Sequence, residues 1–419
     1  MVESPWSGFY KLTIEERQER AAKLLKLGKE ELALLKKEGA LPLSVADKMS
    51  ENVIGTIGLP LSLAPNFIIN GKETVVPMAI EEPSVVAAAS NGAKLCKNTG
   101  GFRTNYTGSI MIGQIQLVGI KDVDDAIIKI EKRREEIVKK ADENASHLHP
   151  YGGGVGGMSP RSINTVRGKM LVVEFFINTA DAMGANAVNT VLEGIAPLLE
   201  EITGGKTRLK ILSNLATARM ASAVAIWKKE DIGGEQVVES ILDCWAMAMA
   251  DEYRRATHNK GVMNGIDAVC IACGNDWRAV EAGAHTYSAL KSGALTTFRK
   301  NADGNLEGKI VLPMAVGTVG GSLGVNPTAK MCLKILGVKS AGELAQVMAA
   351  VGLAQNFAAL RALADEGIQK GHMKLHARHL ASAAGAKEGE MEKVVALMQK
   401  GGKISAAGAK EALAKLRKK

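Results

Sequence analysis

Residues 109–215 predict one specific order of strands and helices. Segments 109–120, 169–178 and 208–215 have strand-like apolar patterns. Segment 122–144 is a helix with a charged outer face, and segment 184–205 is a helix that ends at a glycine pair. Two successive strand–helix–strand units form the split βαβ, ferredoxin-like motif, although some of its elements are not evident here. We therefore expect a compact ferredoxin-like module at 109–215, inserted into a larger domain.

The sequence on both sides of this module is mostly helical. Residues 13–38 have an amphipathic, charged pattern that begins with the capping-box residues Thr13 and Glu16. Residues 216–259 are also helix-rich, and residues 340–419 form alanine-rich helices that are interrupted at 367–380. The fold class is therefore α+β, with a helix-rich domain made of 1–108 and 216–374 and a helical C-terminal segment at 375–419.

Residues 50–108 alternate short apolar runs with Gly, Pro and Asn, so we expect irregular structure that builds a site. Within this stretch Glu82 precedes Pro83 and a run of small residues typical of a helix. Pro suits the first helical turn, so we expect the Glu82 carboxylate at a helix N-terminus.

The apolar run Ile266–Cys273 lies between two charged residues, Lys260 and Asp276, and each of them lies among Gly and Asn residues. We interpret the run as a buried strand because of its length and composition. Charges beside a buried segment are costly unless they are paired. The pattern therefore predicts a lysine near a carboxylate at the end of a core strand, which is an electrophilic pocket.

Composition restricts the class of ligand. The net charge of +9 suits anionic small molecules such as nucleotides and acyl-CoA. Aromatic residues make up only 4% of the chain, which disfavours a nucleic-acid-binding protein. Cys270 and Cys273 have C-x-x-C spacing but lie in an apolar run, so we expect buried thiols and no metal site.

No membrane association is expected. The N-terminal residues lack the apolar core of a signal peptide. The uncharged runs 53–71 and 310–329 are long enough to cross a bilayer, but both contain Gly and Pro, which suits loops that approach ligands. Sparse cysteine together with these features predicts a cytoplasmic protein.

Three glycine-containing segments are candidates for an anion site. Segment 152–157 has the form G-x-G-x-x-G but follows no strand, so we expect a flexible turn. Segment 181–186, DAMGAN, lies between a predicted strand and a helix, where backbone N–H groups can bind an anion; close packing of the turn explains it equally well. Segment 317–324 either cradles a phosphate or marks a close approach of two chain segments.

Glu82, Lys260, Asp276 and His372 each lie in an unusual Gly, Pro or Asn setting. Together they offer an acid, a fixed cation, a tuning carboxylate and a titratable base. These residues alone leave the reaction open, because a lysine that forms a Schiff base fits as well as one that stabilises an oxyanion.

Eight segments follow one another in a distinctive order: ENVIG at 51–55, EEPSVVAAAS at 81–90, DAMGAN at 181–186, LSNLATAR at 212–219, ATHNKGVMNGID at 256–267, GNDWRAVEAG at 274–283, GTVGG at 317–321 and GHMKLHAR at 371–378. In this order they resemble hydroxymethylglutaryl-CoA (HMG-CoA) reductase, in particular its soluble class II form. The resemblance covers about residues 40–385.

This resemblance implies a two-step reduction of the HMG-CoA thioester to mevalonate by two nicotinamide hydrides with release of CoA, or the reverse reaction. Lys260 corresponds to the cation that stabilises the oxyanion, and Glu82 to the proton donor. Asp276 corresponds to the group that couples Lys260 and Glu82. His372 corresponds to the acid that protonates the departing CoA thiolate.

The resemblance also implies binding residues. The positions that match the HMG-binding residues of the family are Ser84, Asn214, Arg254 and Asn264. The positions that match its cofactor loop are Asp181, Met183, Gly184 and Asn186, so the module at 109–215 is expected to bind the nicotinamide cofactor.

Cofactor choice depends on a departure from the family pattern. Ser146 and His147 lie where members that prefer NAD(H) carry an acidic residue, so we expect NADP(H) rather than NAD(H). Asp142 or Glu143 could supply that acidic residue through a local shift of the chain.

The resemblance further implies a homodimer, or an assembly of dimers, whose active sites are shared between subunits. The segment 375–419 is then a lid over the site. The alternative is a catalytically silent acyl-CoA- or nucleotide-binding protein on the same fold, which requires that the set of four catalytic residues be broken.

Overall fold

The computed structural model of the protein describes residues 4–37, 41–364, 377–378 and 380–417. Its strands are β1 Leu61–Ile69, β2 Lys72–Ala79, β3 Arg103–Tyr106, β4 Ile110–Val118, β5 Gly154–Thr165, β6 Gly168–Asn178, β7 Lys206–Ser213, β8 Met220–Trp227, β9 Thr296–Lys300 and β10 Leu306–Pro313. Its α-helices are α1 Ile14–Leu25, α2 Lys29–Lys36, α3 Leu43–Ala46, α4 Val85–Leu95, α5 Val123–Lys132, α6 Arg134–Asn144, α7 Ala185–Thr203, α8 Lys229–Ile232, α9 Glu235–Ala250, α10 Glu252–Ala272, α11 Trp277–Leu290, α12 Pro327–Leu336 and α13 Ala341–Ala364, followed by Glu388–Lys400 and Ala406–Arg417. Short 3-10 helices lie at Phe9–Lys11, Lys97–Thr99, Ser146–Tyr151 and Gly321–Gly324.

Strands β4 to β7 form the ferredoxin-like unit that the sequence predicts. They make one antiparallel sheet in the order β5-β6-β4-β7. Helices α5 and α6 connect β4 to β5, and α7 connects β6 to β7, which gives the split βαβ order. Alternate residues of β6 point into a core that α7 covers, and all of them are fully buried: Leu171, Val173, Phe175 and Ile177. The predicted fold class is confirmed.

The glycine-rich segment 152–157 is not the flexible turn that we expected. From Gly154 it belongs to β5, which pairs with β6 as far as Thr165, with a register shift between Val155 and Gly157. β5 is an edge strand in which only Met158 is buried. The sequence therefore lacks the alternating apolar pattern that would have revealed the strand.

A second, larger core contains the sheet β3-β8-β10-β9 and the antiparallel hairpin β1-β2. Trp227, at the end of β8, is fully buried and stacks on Phe357 of α13 with ring centroids 4.0 Å apart. Strand β8 and the hairpin correct two expectations, that 216–259 is helical and that 50–108 is irregular. Strand β8 was missed because three of its four buried positions are alanines, which have little preference for strands.

The run Ile266–Cys273 is not a strand, which corrects a central expectation. Its residues up to Ala272 form the C-terminal part of α10, a helix of 21 residues that also contains Lys260. α10 packs against α13, α9 and β2, so its C-terminal half is buried on several sides. An apolar run of this length fits a helix buried all round as well as it fits a strand, and the pattern alone does not distinguish them.

The N-terminal helical segment is divided in two. The predicted capping box is present, with the Glu16 N–H donating to Thr13 Oγ1 at 3.2 Å and the Thr13 N–H donating to Glu16 Oε2 at 2.8 Å. α1 ends at Lys26, whose φ of 53° is left-handed, and α2 begins three residues later.

In the part of the chain that the structure describes, α13 is the one helix long and apolar enough to cross a membrane. Of its most apolar window, 67% is buried inside the protein. It packs against α4, α10 and β8, as a core helix does.

Candidate active site

Lys260 and Glu82 form an ion pair between the middle of α10 and the loop that joins β2 to α4. The distance from Lys260 Nζ to Glu82 Oε2 is 2.6 Å. The side chains are 57% and 37% exposed, respectively, so a ligand can reach both groups. The structure therefore brings together the predicted cation and the predicted acid, which are 178 residues apart in the sequence.

Asn264 and Ser84 lie beside this pair. Asn264 is one turn after Lys260 on the same face of α10, and its Nδ2 lies 3.5 Å from Glu82 Oε1. Ser84 is the N-cap of α4 with a left-handed φ of 74°. Pro83 therefore precedes the helix. We had expected it in the first helical turn, and that expectation was wrong. A left-handed serine costs about 1–3 kcal/mol, and such strain is concentrated at ligand sites.

Asp276 begins α11. Its side chain accepts a hydrogen bond from the Ala279 N–H at 3.1 Å and pairs with Arg278 at 3.1 Å. In the described part of a single chain, therefore, Lys260 makes its ion pair with Glu82, and Asp276 makes its own with Arg278. The coupling of Asp276 to Lys260 stays a prediction.

Arg254 and Asn214, two predicted substrate residues, flank the same helices. Arg254 is half-buried in the first turn of α10, where its N–H is capped by Asp251 Oδ1 at 2.6 Å. Asn214 is exposed after β7, and its carbonyl oxygen would be 2.5 Å from a Cβ at Gly283 of α11. Among the described residues, neither side chain hydrogen-bonds to Glu82 or Lys260.

The predicted cofactor loop leads from β6 into α7. Gly184 is the N-cap of α7 with a φ of 97°, and a Cβ there would lie 2.3 Å from Thr179, so the position requires glycine. Asn186 is exposed in the first turn of this helix of 19 residues, whose N-terminus has no side-chain cap. The uncapped backbone N–H groups of such a helix suit an anion.

Segment 317–324 packs directly on this loop. A Cβ at Gly317 would be 2.6 Å from the backbone nitrogen of Met183. The Thr318 N–H donates to the Asp181 carbonyl at 2.9 Å, and Asp181 Oδ1 accepts from the Ala341 N–H at 2.8 Å. Of the two alternatives for this segment, the structure shows a close approach of two chain segments.

Ser146 and His147 are exposed on the 3-10 helix that follows α6. Asp142 Oδ1 accepts from the Val155 N–H at 2.8 Å and lies 3.1 Å from His149 Nε2. Since Asp142 already holds β5, a local shift that frees its carboxylate for a ribose is disfavoured. His372, the fourth predicted catalytic residue, lies outside the described residues.

Sequence reasoning missed a carboxyl pair between α10 and α11, made of the half-buried Asp267 and of Glu281, whose side chain is 34% exposed. Asp267 and Glu281 are hydrogen-bonded through their side chains, and Asp267 Oδ1 is buried without a partner. Burial, followed by the hydrogen bond and the charge of Glu281, raises the pKa of Asp267 to about 8. Its position inside the apolar run Ile266–Cys273 was the available indication.

Sequence reasoning also did not identify His258 as a buried structural residue. It is 1% exposed, and its Nε2 lies 2.7 Å from Thr296 Oγ1. Burial, together with the positive charge of Arg254, lowers the pKa of His258 to about 3, so the ring is neutral at physiological pH. It holds α10 against β9 and is no acid.

The C-x-x-C cysteines are buried free thiols, as predicted. Burial raises the pKa of both Cys270 and Cys273, which makes them unreactive. Within the described ranges, no cluster of three or more His, Cys, Asp or Glu side chains could hold a metal ion.

Residues 13–377 match the family model described as hydroxymethylglutaryl-coenzyme A reductase. The chain is 55% identical over 411 residues to the 3-hydroxy-3-methylglutaryl-coenzyme A reductase of Archaeoglobus fulgidus, covering 98% of this chain and 94% of that one. It is 36% identical over 341 residues to a probable enzyme of this name from Borreliella burgdorferi, covering 78% and 76% of the two chains.

Solved structures agree with these sequence matches. A 3-hydroxy-3-methylglutaryl-coenzyme A reductase from Streptococcus pneumoniae superposes with a TM-score of 0.84 and 40% identity, covering 98% of this chain and 99% of that chain. A class II enzyme from the same organism, bound to NADPH in open conformations, has a TM-score of 0.83 and 41% identity, covering 85% and 99%.

Proposed function

The chain belongs to the hydroxymethylglutaryl-coenzyme A reductase family, and we propose that Lys260 and Glu82 form the reaction centre at which the HMG-CoA thioester is reduced. The observation that carries the assignment of these roles is the 2.6 Å contact between Lys260 Nζ and Glu82 Oε2. The ammonium is fixed by one carboxylate and exposed on its other side, so it can also contact a ligand oxygen.

The cofactor loop fits a nicotinamide dinucleotide. Gly184 gives α7 an N-terminus without a side-chain cap, where a pyrophosphate could bind to backbone N–H groups. When bound, the reduced nicotinamide supplies one hydride to the thioester carbon and, after its replacement, a second hydride to the resulting aldehyde.

Lys260 stabilises the negative charge that each reduction places on the substrate oxygen. A preorganised ammonium is effective here because the charge on the oxygen is far larger in the transition state than in the ground state. Glu82 is the proposed proton donor to the same oxygen in the second step, so that the product is an alcohol.

The CoA thiolate leaves between the two reductions. His372, on the C-terminal side of α13, is the proposed acid that protonates this sulfur. Ser84, Asn214, Arg254 and Asn264 are the proposed contacts for the HMG group, and Arg254 supplies a positive charge for the free carboxylate of that group.

We favour NADP(H) over NAD(H) as the cofactor. The homologous class II enzyme from S. pneumoniae binds NADPH. In this chain Asp142 is engaged with the Val155 N–H, while the exposed His147 can face a 2′-phosphate.

The active enzyme is proposed to be a cytoplasmic homodimer, or an assembly of dimers, with shared sites. Residues 54–60 have no regular secondary structure and expose Ile54 and Ile57 almost completely, at 102% and 97%. Exposed apolar side chains of this size suit contact with a second subunit. We propose that this assembly brings Asp276 to Lys260, since within the described part of one chain Asp276 pairs with Arg278.

A direct assay tests this proposal. Purified protein is mixed with HMG-CoA and with either NADPH or NADH, each cofactor at the same concentration. The loss of reduced-nicotinamide absorbance measures cofactor oxidation, and a thiol assay measures the release of free CoA. We expect two nicotinamides oxidised per thiol released and a higher kcat/KM with NADPH. Folded protein that binds CoA but shows no oxidation with either cofactor would instead be the silent acyl-CoA-binding protein.

A further inference from the structure

Arg219, at the end of the LSNLATAR segment, is a fully buried arginine to which no role has been given so far. It immediately precedes β8 and is 0% exposed. A buried charge is stable only when its hydrogen-bonding groups are satisfied. The partners of its guanidinium therefore indicate what the residue is for.

Those partners come from the proposed cofactor loop, from the chain just before segment 317–324 and from β3. Nη1 donates to Thr179 Oγ1 at 3.0 Å and to the carbonyl oxygens of Ala182 and Met183 at 3.1 and 3.3 Å. Nη2 donates to the carbonyl oxygen of Val316, and Nε donates to Tyr106 Oη at 2.7 Å. One guanidinium thus joins the loop before α7 to the chain that follows β10.

These bonds also orient the loop's N–H groups. A peptide unit is planar and trans, so a fixed carbonyl fixes the N–H of the next residue in the opposite direction. The carbonyls of Ala182 and Met183 point at Arg219, so the N–H groups of Met183 and Gly184 point away from it. These N–H groups precede the first turn of α7, at the end where an anion is expected.

The contacts continue towards the reaction centre. Gly317, the residue after Val316, donates its N–H to Asn275 Oδ1 at 2.7 Å and accepts from Asn275 Nδ2 at 3.0 Å. Asn275 is adjacent to Asp276 in the sequence. A continuous set of hydrogen bonds therefore joins the cofactor loop, through Arg219, to the start of α11.

We propose that Arg219 is a positioning residue that holds the loop Asp181–Gly184 in the orientation that binds the nicotinamide dinucleotide and in register with the start of α11. This inference rests on the proposed function. Lysine cannot replace arginine in this role, because a single ammonium cannot reach acceptors spread in three directions as a planar guanidinium does.

The test compares Arg219→Lys and Arg219→Met with a matched control, Trp227→Phe. Trp227 is equally buried at the other end of β8 and donates to the Gly92 carbonyl at 2.9 Å, so its variant also loses one buried hydrogen bond. Three quantities are measured for all variants. They are the steady-state kinetics with each substrate varied, the NADPH affinity by fluorescence, and the hydrogen–deuterium exchange of the 179–186 peptide.

We expect Arg219→Lys to weaken NADPH binding about tenfold or more and to lower kcat by up to about 10²-fold, the effect of misplacing a reactant by about 1 Å. The KM for HMG-CoA changes by less than about threefold, and exchange of the 179–186 peptide accelerates. Trp227→Phe leaves the NADPH affinity and that peptide unchanged. Equal losses for both substrates, or an Arg219→Lys enzyme that binds NADPH normally, would overturn the inference.

A second variant keeps the test decisive if the Arg219 variants do not fold. Tyr106→Phe keeps the ring but removes the acceptor of Arg219 Nε, which lies outside the loop, so NADPH affinity should fall severalfold; an unchanged affinity contradicts the inference. If the wild-type protein binds NADPH but does not reduce HMG-CoA, the proposed function fails, while the role of Arg219 in the loop is still decided by the affinity and exchange measurements.

Discussion

At the scale of single residues, the carboxyl groups around α10 and α11 have two different roles. Glu82, bound to Lys260, and Asp276, the N-cap of α11, are both accessible to solvent and can meet a ligand or a partner subunit. Asp267 of α10 lies beside Glu281 of α11, and burial raises the pKa of Asp267 to about 8. A carboxyl group that stays protonated in the folded chain affects stability.

The raised pKa of Asp267 predicts that the stability of the protein depends on pH. The pKa of Asp267 is raised to about 8 in the folded chain, whereas an unfolded aspartate titrates near 4. Between about pH 4 and 8 the folded state therefore retains a proton that the unfolded state has lost. The free energy of unfolding falls as the pH rises through this window, by at most about 1.4 kcal/mol per pH unit, and levels off above about pH 8.

Asp267→Asn should remove this contribution, because an amide stays neutral at every pH and can still donate to Glu281. Urea unfolding at several pH values between 5 and 9 measures the slope, and the exposed Asp303→Asn serves as the control. An identical pH slope in wild type and Asp267→Asn would show that the pair holds no extra proton.

At the scale of elements, α10 determines the geometry of the proposed site. It contains Arg254, Lys260 and Asn264 in one continuous helix, and this helix packs closely on α13. Gly265 allows this approach, since a Cβ there would lie 3.0 Å from Gln355 Cβ and 3.1 Å from Val351. Gly261, one turn earlier, has room, with its nearest neighbour 3.9 Å away.

These two glycines make a matched pair of substitutions on one helix. Gly265→Ala should destabilise the protein by about 1–3 kcal/mol, because the side chain overpacks the contact with α13. Gly261→Ala should stabilise it by up to about 1 kcal/mol, because alanine is the better helix former. Denaturant unfolding measures both. Equal effects of the two changes would mean that α10 and α13 are not packed as described.

Prediction from the sequence succeeded for elements that have a local residue pattern. It failed for elements whose secondary structure depends on how they are buried in the fold. The capping box at Thr13 and the elements of the ferredoxin-like unit with alternating or periodic apolar residues were predicted correctly. Strand β5 was missed because an edge strand buries little, and β8 was missed because three of its four buried positions are alanines. The end of α10 was predicted as a strand because its residues are apolar on all sides of the helix, so the sequence shows no helical periodicity.

For the candidate site, the sequence indicated the type of chemistry but not the geometry. The structure places Lys260 beside Glu82, with Lys260 on a helix and not beside the strand that we expected, and the catalytic roles of the two residues stay a prediction. Arg219 was not singled out, because neither its burial nor its five acceptors can be inferred from a lone arginine in a turn.

At the scale of the whole molecule, we propose that a dimer completes the site. Within the described part of one chain, Asp276 pairs with Arg278, and Ile54 and Ile57 lie in solvent. The exposure of the two isoleucines is explained if segment 54–60 of each subunit lies on the other subunit.

Charged substitutions in this segment should therefore separate the subunits. Ile54→Asp combined with Ile57→Asp is expected to yield folded monomers by sedimentation velocity, with turnover reduced in proportion to the loss of dimer. Val166→Asp is the control, because Val166 is equally exposed, at 107%, but lies in the turn between β5 and β6. A double variant that remains a dimer would exclude this segment as the interface.

The central claim is that the ammonium of Lys260 stabilises the oxyanion formed on the thioester carbon, and the turnover of Lys260→Met tests it most directly. Lys334→Met, which breaks an ion pair of 2.7 Å between Lys334 on α12 and Glu31 on α2, is the matched control. We predict that Lys260→Met lowers kcat by at least about 10²–10³-fold while CoA affinity by calorimetry stays within about threefold, and that Lys334→Met changes neither. A Lys260→Met enzyme that retains more than a tenth of the wild-type kcat would contradict the account.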